Sequence, residues 1–405
     1  MALAGARRTR VVLLGWYGSN NTGDEALAQV TSGELQRRGF NDLVALSTNP
    51  ARTASRLGIE SRSRTLFAPS TLAVLRGARA LILGGGGLLQ DGTSVYNLPV
   101  YAAYVLAARL LGVTVIGWGL GAEPLYTGLG KLLVRFIVHS SAYFSVRDQA
   151  TLRLLERAGV DSRRVAVTAD PAVLLAERPP EGQSPGNGRP VVMLCMRHLP
   201  VIRPGLNLAY LLPVSVRLRL GLEWKHEPGR VEALIEAAAR AVRVAVDDLG
   251  ADVVLLPLWS NRDEEVLELV ASEAERSGVP AERILRAEPQ PGPEELAGYV
   301  AQAAALVSMR LHALVFGMTR GVPSLALSYA RKVRGFMREM DSERWTIEVE
   351  RSTPALGEIG ARLRVLWAAR DGERARLITG AAQARARAEG DADAIAAVLR
   401  GQRAA

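Results

Sequence analysis

Five clusters of residues have types and spacings that can do chemistry, and each follows a short apolar run. The first is Gly15-Trp-Tyr-Gly18-Ser-Asn-Asn21-Thr-Gly23-Asp24-Glu25. Its glycines let backbone amides approach an anion, and a helix starting here adds partial positive charge at its N-terminus. Gly18, Asn21 and Gly23 are the expected ligand contacts. Asp24 complicates this picture, because a carboxylate repels phosphate; it either caps the helix or orients the hydroxyls of a sugar acceptor. The second cluster follows Leu83 with four glycines and ends at Asp91. Consecutive glycines are costly to order. Gly85 and Gly86 are therefore expected where the backbone approaches a ligand or a facing domain closely, with a tight strand-to-helix turn as the alternative.

The remaining clusters supply charge. Ser308-Met-Arg310-Leu-His312 ends a strand and opens a helix, which puts His312 on the first helical turn. Tyr329-Ala-Arg331-Lys332-Val-Arg334 holds one of only three lysines among 50 basic residues, the others being Lys131 and Lys225. An ammonium point charge suits phosphate or carboxylate; the alternative is a solvated helix start. In Ser145-Val-Arg147-Asp148 the guanidinium can fork onto an anion across a cleft, or pair locally with Asp148. The clusters contain no pair of catalytic carboxylates, no nucleophile elbow and no metal-ligand spacing. The glycine spacing matches neither G-x-G-x-x-G nor a Walker loop. The chemistry indicated is that of holding an anion, with no metal and no resident cofactor.

These clusters need a scaffold that brings strand ends together. Apolar strands alternate with helical patterns: 10–15 strand, 24–38 helix, 42–47 strand, 68–77 helix, 79–83 strand, 95–111 helix, 114–118 strand, 129–140 helix, 143–147 strand, 149–158 helix and 165–168 strand. Such alternation implies a parallel, doubly wound sheet. Residues 179–189, rich in Pro and Gly, read as a linker. The pattern then restarts, with strands at 190–195, 252–257, 284–287, 305–308 and 324–328 and helices at 230–249, 263–277, 293–303 and 312–317. The expected architecture is α/β: a first Rossmann-like domain over 1–178, the linker, a second over 190–350, and a helical tail over 351–405. The tail either folds back on the first domain or is a solvated end. Two such halves bind ligands in the crevice at the carboxyl ends of their strands. The linker composition predicts that they pivot about it. Residues 199–227, rich in Leu and Arg and including Trp224, fit neither period and read as an insertion near that crevice.

Composition closes off other classes. The 405 residues are 48% hydrophobic and 22% charged, with 39 glycines and 20 prolines, which excludes a disordered or collagen-like chain. A single cysteine, Cys195, excludes an internal disulfide, and four histidines with it give no zinc spacing. A reducing, cytosolic address is expected, since the apolar run after Arg10 is too short for a signal peptide. The stretch 98–122 is broken by Arg109 and several glycines, so a helix followed by a strand is expected rather than a membrane span. The net charge of +9 is spread without a Lys/Arg block, which points away from nucleic acid and toward an anionic substrate or membrane surface.

The clusters around Gly15–Glu25, Leu83–Asp91, Ser145–Asp148 and Met309–Ala313 occur in order. With Gly321-Val-Pro-Ser and Ser328-Tyr-Ala-Arg-Lys332-Val closing the series, they resemble the polysaccharide pyruvyl transferase family of the CsaB type over about residues 10–340. The resemblance implies a glycosyltransferase-B-like pair of domains and transfer of pyruvate from phosphoenolpyruvate onto a sugar as a ketal. It implies donor binding at Arg147, His312 and Lys332, with Arg310 secondary, His312 as acid or base, and Asp24 acting on the acceptor. It also implies a lipid-linked glycan acceptor at the inner membrane face, where the 199–227 insertion, a departure from the family pattern, can touch the surface. Two further readings remain. A nucleotide-sugar glycosyltransferase needs an acidic group reaching a ribose, with Glu294 and Glu295 as loose candidates. A non-catalytic carbohydrate-binding relative would lack the histidine or the lysine.

Overall fold

The computed structural model describes residues 8–65, 68–92, 94–179, 185–186, 188–197, 229–259, 263–288, 292–349 and 357–402. The 199–227 insertion with Trp224 and part of the linker lie outside the described residues. The first domain runs β1 (Val11–Leu14), α1 (Thr22–Arg37), β2 (Leu43–Ser47), α2 (Pro50–Leu57), β3 (Glu60–Ser63), α3 (Pro69–Arg76), β4 (Ala80–Leu89), α4 (Asn97–Leu110), β5 (Thr114–Ala122), α5 (Gly128–Ser140), β6 (Tyr143–Val146), α6 (Gln149–Arg157) and β7 (Ala166–Val167). The second runs β8 (Val191–Cys195), α7 (Arg230–Arg243), β9 (Asp252–Leu255), α8 (Glu264–Arg276), β10 (Ile284–Arg286), α9 (Pro293–Val300), β11 (Ala305–Ser308), α10 (Leu311–Met318), β12 (Ser324–Ser328), α11 (Arg331–Glu339) and β13 (Thr346–Glu348). Helices α12 (Ile359–Ala368) and α13 (Arg370–Arg400) follow.

Both sheets are parallel, in the orders β3-β2-β1-β4-β5-β6-β7 and β10-β9-β8-β11-β12-β13. In each, the chain order reverses at one place, between β1 and β4 and between β8 and β11, where a crevice opens at the strand ends. The central strands are covered on both faces, which is why Val11–Leu14 and Ser324–Ser328 are continuous buried runs. The elements not foreseen from sequence are those without such a run. β3, Glu60-Ser-Arg-Ser63, is polar because it is an edge strand, and α2 buries only Thr53.

The glycine run departs from a tight turn. β4 continues through Gly84–Gly87 to Leu89, with a register shift against β5 after Gly86. Gly85 and Gly86 hold φ of 60° and 80°, which L side chains rarely adopt. A Cβ on Gly85 would lie 2.8 Å from the Leu27 side chain. The close approach expected here is therefore made to α1 of the same domain. Ala26, Leu27 and Val30 of α1 share one apolar core with the second domain, so the two halves are packed together along this helix.

Helix α13 returns to the first domain. Ala392, Ile395 and Leu399 enter its core beside Leu13, Ile82 and Trp118. Asp391, 3% exposed, accepts hydrogen bonds from Tyr143 Oη at 2.6 Å, Ser145 Oγ at 2.7 Å and Thr168 Oγ1 at 3.2 Å. Burial raises the Asp391 pKa, opposed by these hydroxyls. Asp391→Ala strands three hydroxyls at once and is expected to cost about 1–3 kcal/mol in urea denaturation; a change within about 0.5 kcal/mol would mean that the tail is not tied to the first domain by this group.

Candidate functional site

Three helix N-termini converge on the crevice. α1 begins after β1, α10 after β11 and α11 after β12, so the partial positive ends of all three face the space between the sheets. α1 is held across the domain boundary: Thr22 donates to the Leu258 carbonyl from both its backbone N–H, at 3.1 Å, and its Oγ1, at 2.9 Å. Asn21 forms an isolated antiparallel bridge with Trp259. This settles one alternative for Asp24. The N-cap position is Asn21, and Asp24 sits two residues into the helix from Thr22, accepting at 2.5 Å from Asn21 Nδ2. It is not the cap, because the second domain's carbonyl satisfies the helix start instead.

Gly23 and His312 are in close contact. A Cβ on Gly23 would lie 1.9 Å from His312 Nδ1, so only glycine lets the imidazole seat against α1. The other ring nitrogen, His312 Nε2, is buried and has no hydrogen-bond partner among the described residues. Burial first, then the charges of Arg147, Lys332 and Arg310, lower the His312 pKa to about 4 against the opposing Asp170 carboxylate. The imidazole is thus neutral near pH 7. Burial raises Asp24 to about 7, although Lys332, Asn21 and Arg147 pull it down. Gly86 lines the same carboxylate, since a Cβ there would stand 3.2 Å from Asp24 Oδ1. Gly18 takes a different part, donating its N–H to Glu25 Oε1 at 2.9 Å.

Arg147 and Lys332 both act on Asp24 and on His312, but they differ in what else holds them. Arg147, 4% exposed, donates Nη1 to Asp170 Oδ2 at 3.0 Å, and its Nε lies 3.5 Å from Asp148 Oδ2 in an ion pair but has no hydrogen-bond partner among the described residues. Both the local pairing and a wider one are present. Gly121 makes room for the guanidinium, as a Cβ there would come within 2.6 Å of it. Lys332 makes no ion pair among the described residues and stands 5.7 Å from the Tyr329 ring centre. Arg310, expected as a secondary donor contact, is engaged by a carboxylate of its own domain. Its guanidinium forks onto the fully buried Asp263, with Nε at 2.9 Å and Nη2 closer still. Asp263 Oδ2 also takes the N–H groups of Leu258 and Trp259. Arg310 is therefore committed to holding the loop that grips α1.

The sequence did not single out Asp170, Asp263, Tyr329, Arg197 or Glu339. Tyr329 accepts from Arg197 Nη1 at 2.8 Å; burial raises its pKa, but Arg197, Lys332 and Arg310 bring it down to about 8. Glu339, at the far end of α11, is raised to about 8 by burial and by Asp148. Only Tyr329 had a local signal, its place beside Lys332 at a strand end. Glu294 and Glu295, considered for a ribose, both pair with Arg178.

The family model for polysaccharide pyruvyl transferase matches residues 21–331. No curated protein matches the chain in sequence. Among solved structures, the S. aureus MnaA–UDP co-structure is similar at 11% identity and a TM-score of 0.59, covering 96% of each chain. Anabaena Alr3699/HepE in complex with UDP-glucose is similar at 12% identity and a TM-score of 0.59, over 97% of this chain and 99% of that one. UDP-GlcNAc 2-epimerase from Neisseria meningitidis bound to UDP-GlcNAc is similar at 12% and 0.56, over 97% and 100%. At these identities the likeness establishes the fold: two Rossmann-like domains facing a cleft, as in glycosyltransferase-B enzymes.

Proposed function

Since the chain belongs to the polysaccharide pyruvyl transferase family, we propose that it moves pyruvate from phosphoenolpyruvate onto two hydroxyls of one sugar in a cell-wall or capsular polysaccharide precursor, as a ketal, releasing phosphate. The carrying observation is the buried His312 Nε2, without a partner among the described residues, in a crevice governed by Lys332, Arg147 and Asp24. Two sugar oxygens bond to the central donor carbon, the bond from that carbon to the phosphate oxygen breaks, and the methylene becomes methyl. Of the two hydroxyl protons, one balances the methyl hydrogen and the other leaves on phosphate. Neutral His312 takes the proton of the attacking hydroxyl. Asp24, which keeps its proton to about pH 7, supplies one to the methylene carbon. Lys332 and the helix N-termini hold the phosphate and carboxylate, and Arg147 keeps a guanidinium beside them. The acceptor in this reading is a lipid-linked glycan at the cytosolic membrane face.

Calorimetry with phosphoenolpyruvate and with a UDP-sugar tests the donor. Wild type is expected to bind phosphoenolpyruvate, and Lys332→Ala to weaken it about 10- to 100-fold, as for loss of a charge-assisted contact. Binding of the UDP-sugar alone would make this a glycosyltransferase. The pH profile tests the proton assignments. His312 must be neutral, so kcat/KM rises as pH climbs through about 4; Asp24 must hold its proton, so it falls as pH rises through about 7. Asp24→Asn should lower the rate and remove the alkaline limb. A limb that persists in this variant belongs to another group.

A further inference from the structure

Of the eleven large apolar side chains exposed among the described residues, seven fall between residues 96 and 132. Helices α4 and α5 pack side by side, and Val100, Leu106 and Leu110 of the first lie on one helical stripe, beside Leu129 and Leu132 of the second. Leu110 is 79% exposed, and Leu129 and Leu132 are more than half exposed. A stripe of this kind normally faces a core; here it faces outward. Charge supplies the second observation. The chain has 41 acidic residues, yet neither helix contains one, while Arg109, Lys131 and Arg135 stand exposed along them.

We propose that the α4–α5 face docks the first domain onto an anionic lipid bilayer, with its leucines in the interface and its cations toward the headgroups. An outward apolar stripe on helices whose charged residues are all cations is the pattern of a surface-bound, non-spanning helix. No helix among the described residues is long and apolar enough to cross a membrane, so the contact is peripheral. Both helices begin at the carboxyl edge of the sheet, where Tyr96 and Tyr126 are also exposed. A bilayer lying along this face therefore runs up to the mouth of the crevice, so a lipid-anchored ligand can reach the site without leaving the membrane. This inference does not depend on which donor the site takes.

The test is co-sedimentation of the full chain with phosphatidylglycerol-containing and phosphatidylcholine-only vesicles. Wild type is expected to bind the anionic vesicles about tenfold or more tightly. Leu129→Glu combined with Leu132→Glu should weaken that binding about tenfold or more, and Lys131→Glu with Arg135→Glu should remove the preference for anionic lipid. Leu269→Glu, at an exposed leucine of α8 in the second domain, should bind as wild type does. All these positions are exposed, so unchanged thermal midpoints verify that the variants fold. Absence of wild-type binding, or equal losses in Leu269→Glu, overturns the proposal. So does a wild-type dimer in sedimentation that the Leu129/Leu132 variant breaks without any vesicle binding, since a second copy would then cover the face. Phosphoenolpyruvate calorimetry needs no vesicles, so failure here and failure of the donor reading are separate results.

Discussion

His312→Gln should lower kcat by about 100- to 10,000-fold, the range for removing a positioned acid or base. The imidazole is held against Gly23 on one side, its Nε2 is buried without a partner among the described residues, and its pKa is lowered to about 4. Burying such a nitrogen without a partner costs free energy, which a proton donated by a bound ligand would offset. Glutamine keeps a polar end of similar reach but has no basic nitrogen, so it separates proton transfer from simple hydrogen bonding. Phosphoenolpyruvate should still bind within a few-fold of wild type, because Lys332 is untouched. Steady-state kinetics with calorimetry on the same preparation makes the distinction. Unchanged kcat would remove His312 from the chemistry, and a loss confined to KM would make it a binding group.

The largest effect on stability is expected at Asp263, which holds Arg310 and the Leu258–Trp259 loop. Asp263→Ala leaves the Arg310 guanidinium buried without its counter-charge and strips the Leu258 and Trp259 N–H groups of their acceptor. Breaking a buried pair from one side costs about 3–5 kcal/mol. The loop that accepts from Thr22 loosens with it, so the domain boundary is weakened as well. Arg310→Leu with Asp263→Leu should recover much of the loss, since the apolar replacement leaves no stranded charge. Urea unfolding of the single and double variants measures this directly. A double variant as unstable as Asp263→Ala would show that the loop amides, rather than the buried charge, carry the penalty.

Several site residues were legible in the sequence because their signals are local. Glycines after an apolar strand, a histidine on the first turn of a helix and a rare lysine at a strand end can each be read within a dozen residues. Asp24 had two readings, since a carboxylate near a helix start looks the same whether or not it caps. The choice required Leu258, more than two hundred residues away. Arg310 depended on distant chain in the same way: an arginine beside His312 reads locally as a ligand group, and only the fold places a buried carboxylate 47 positions earlier against it. The glycine run showed that the backbone needed freedom, but not that the need came from Leu27.

The amino-acid sequence by itself determined the two α/β halves, the strand ends that carry the chemistry and the family, because apolar periodicity and glycine spacing are properties of short segments. Tertiary structure alone decided which charges remain available. Parallel strands set their carboxyl ends side by side, which pairs Arg147 after β6 with Asp170 after β7, and the packing of the two domains brings Gly23 to His312, 289 positions apart, and leaves Lys332 unpaired among the described residues. Burial then sets the protonation states, since desolvation is the first cause of the shifts at both His312 and Asp24. Desolvation depends on what surrounds a group in space, which no local run of residues specifies.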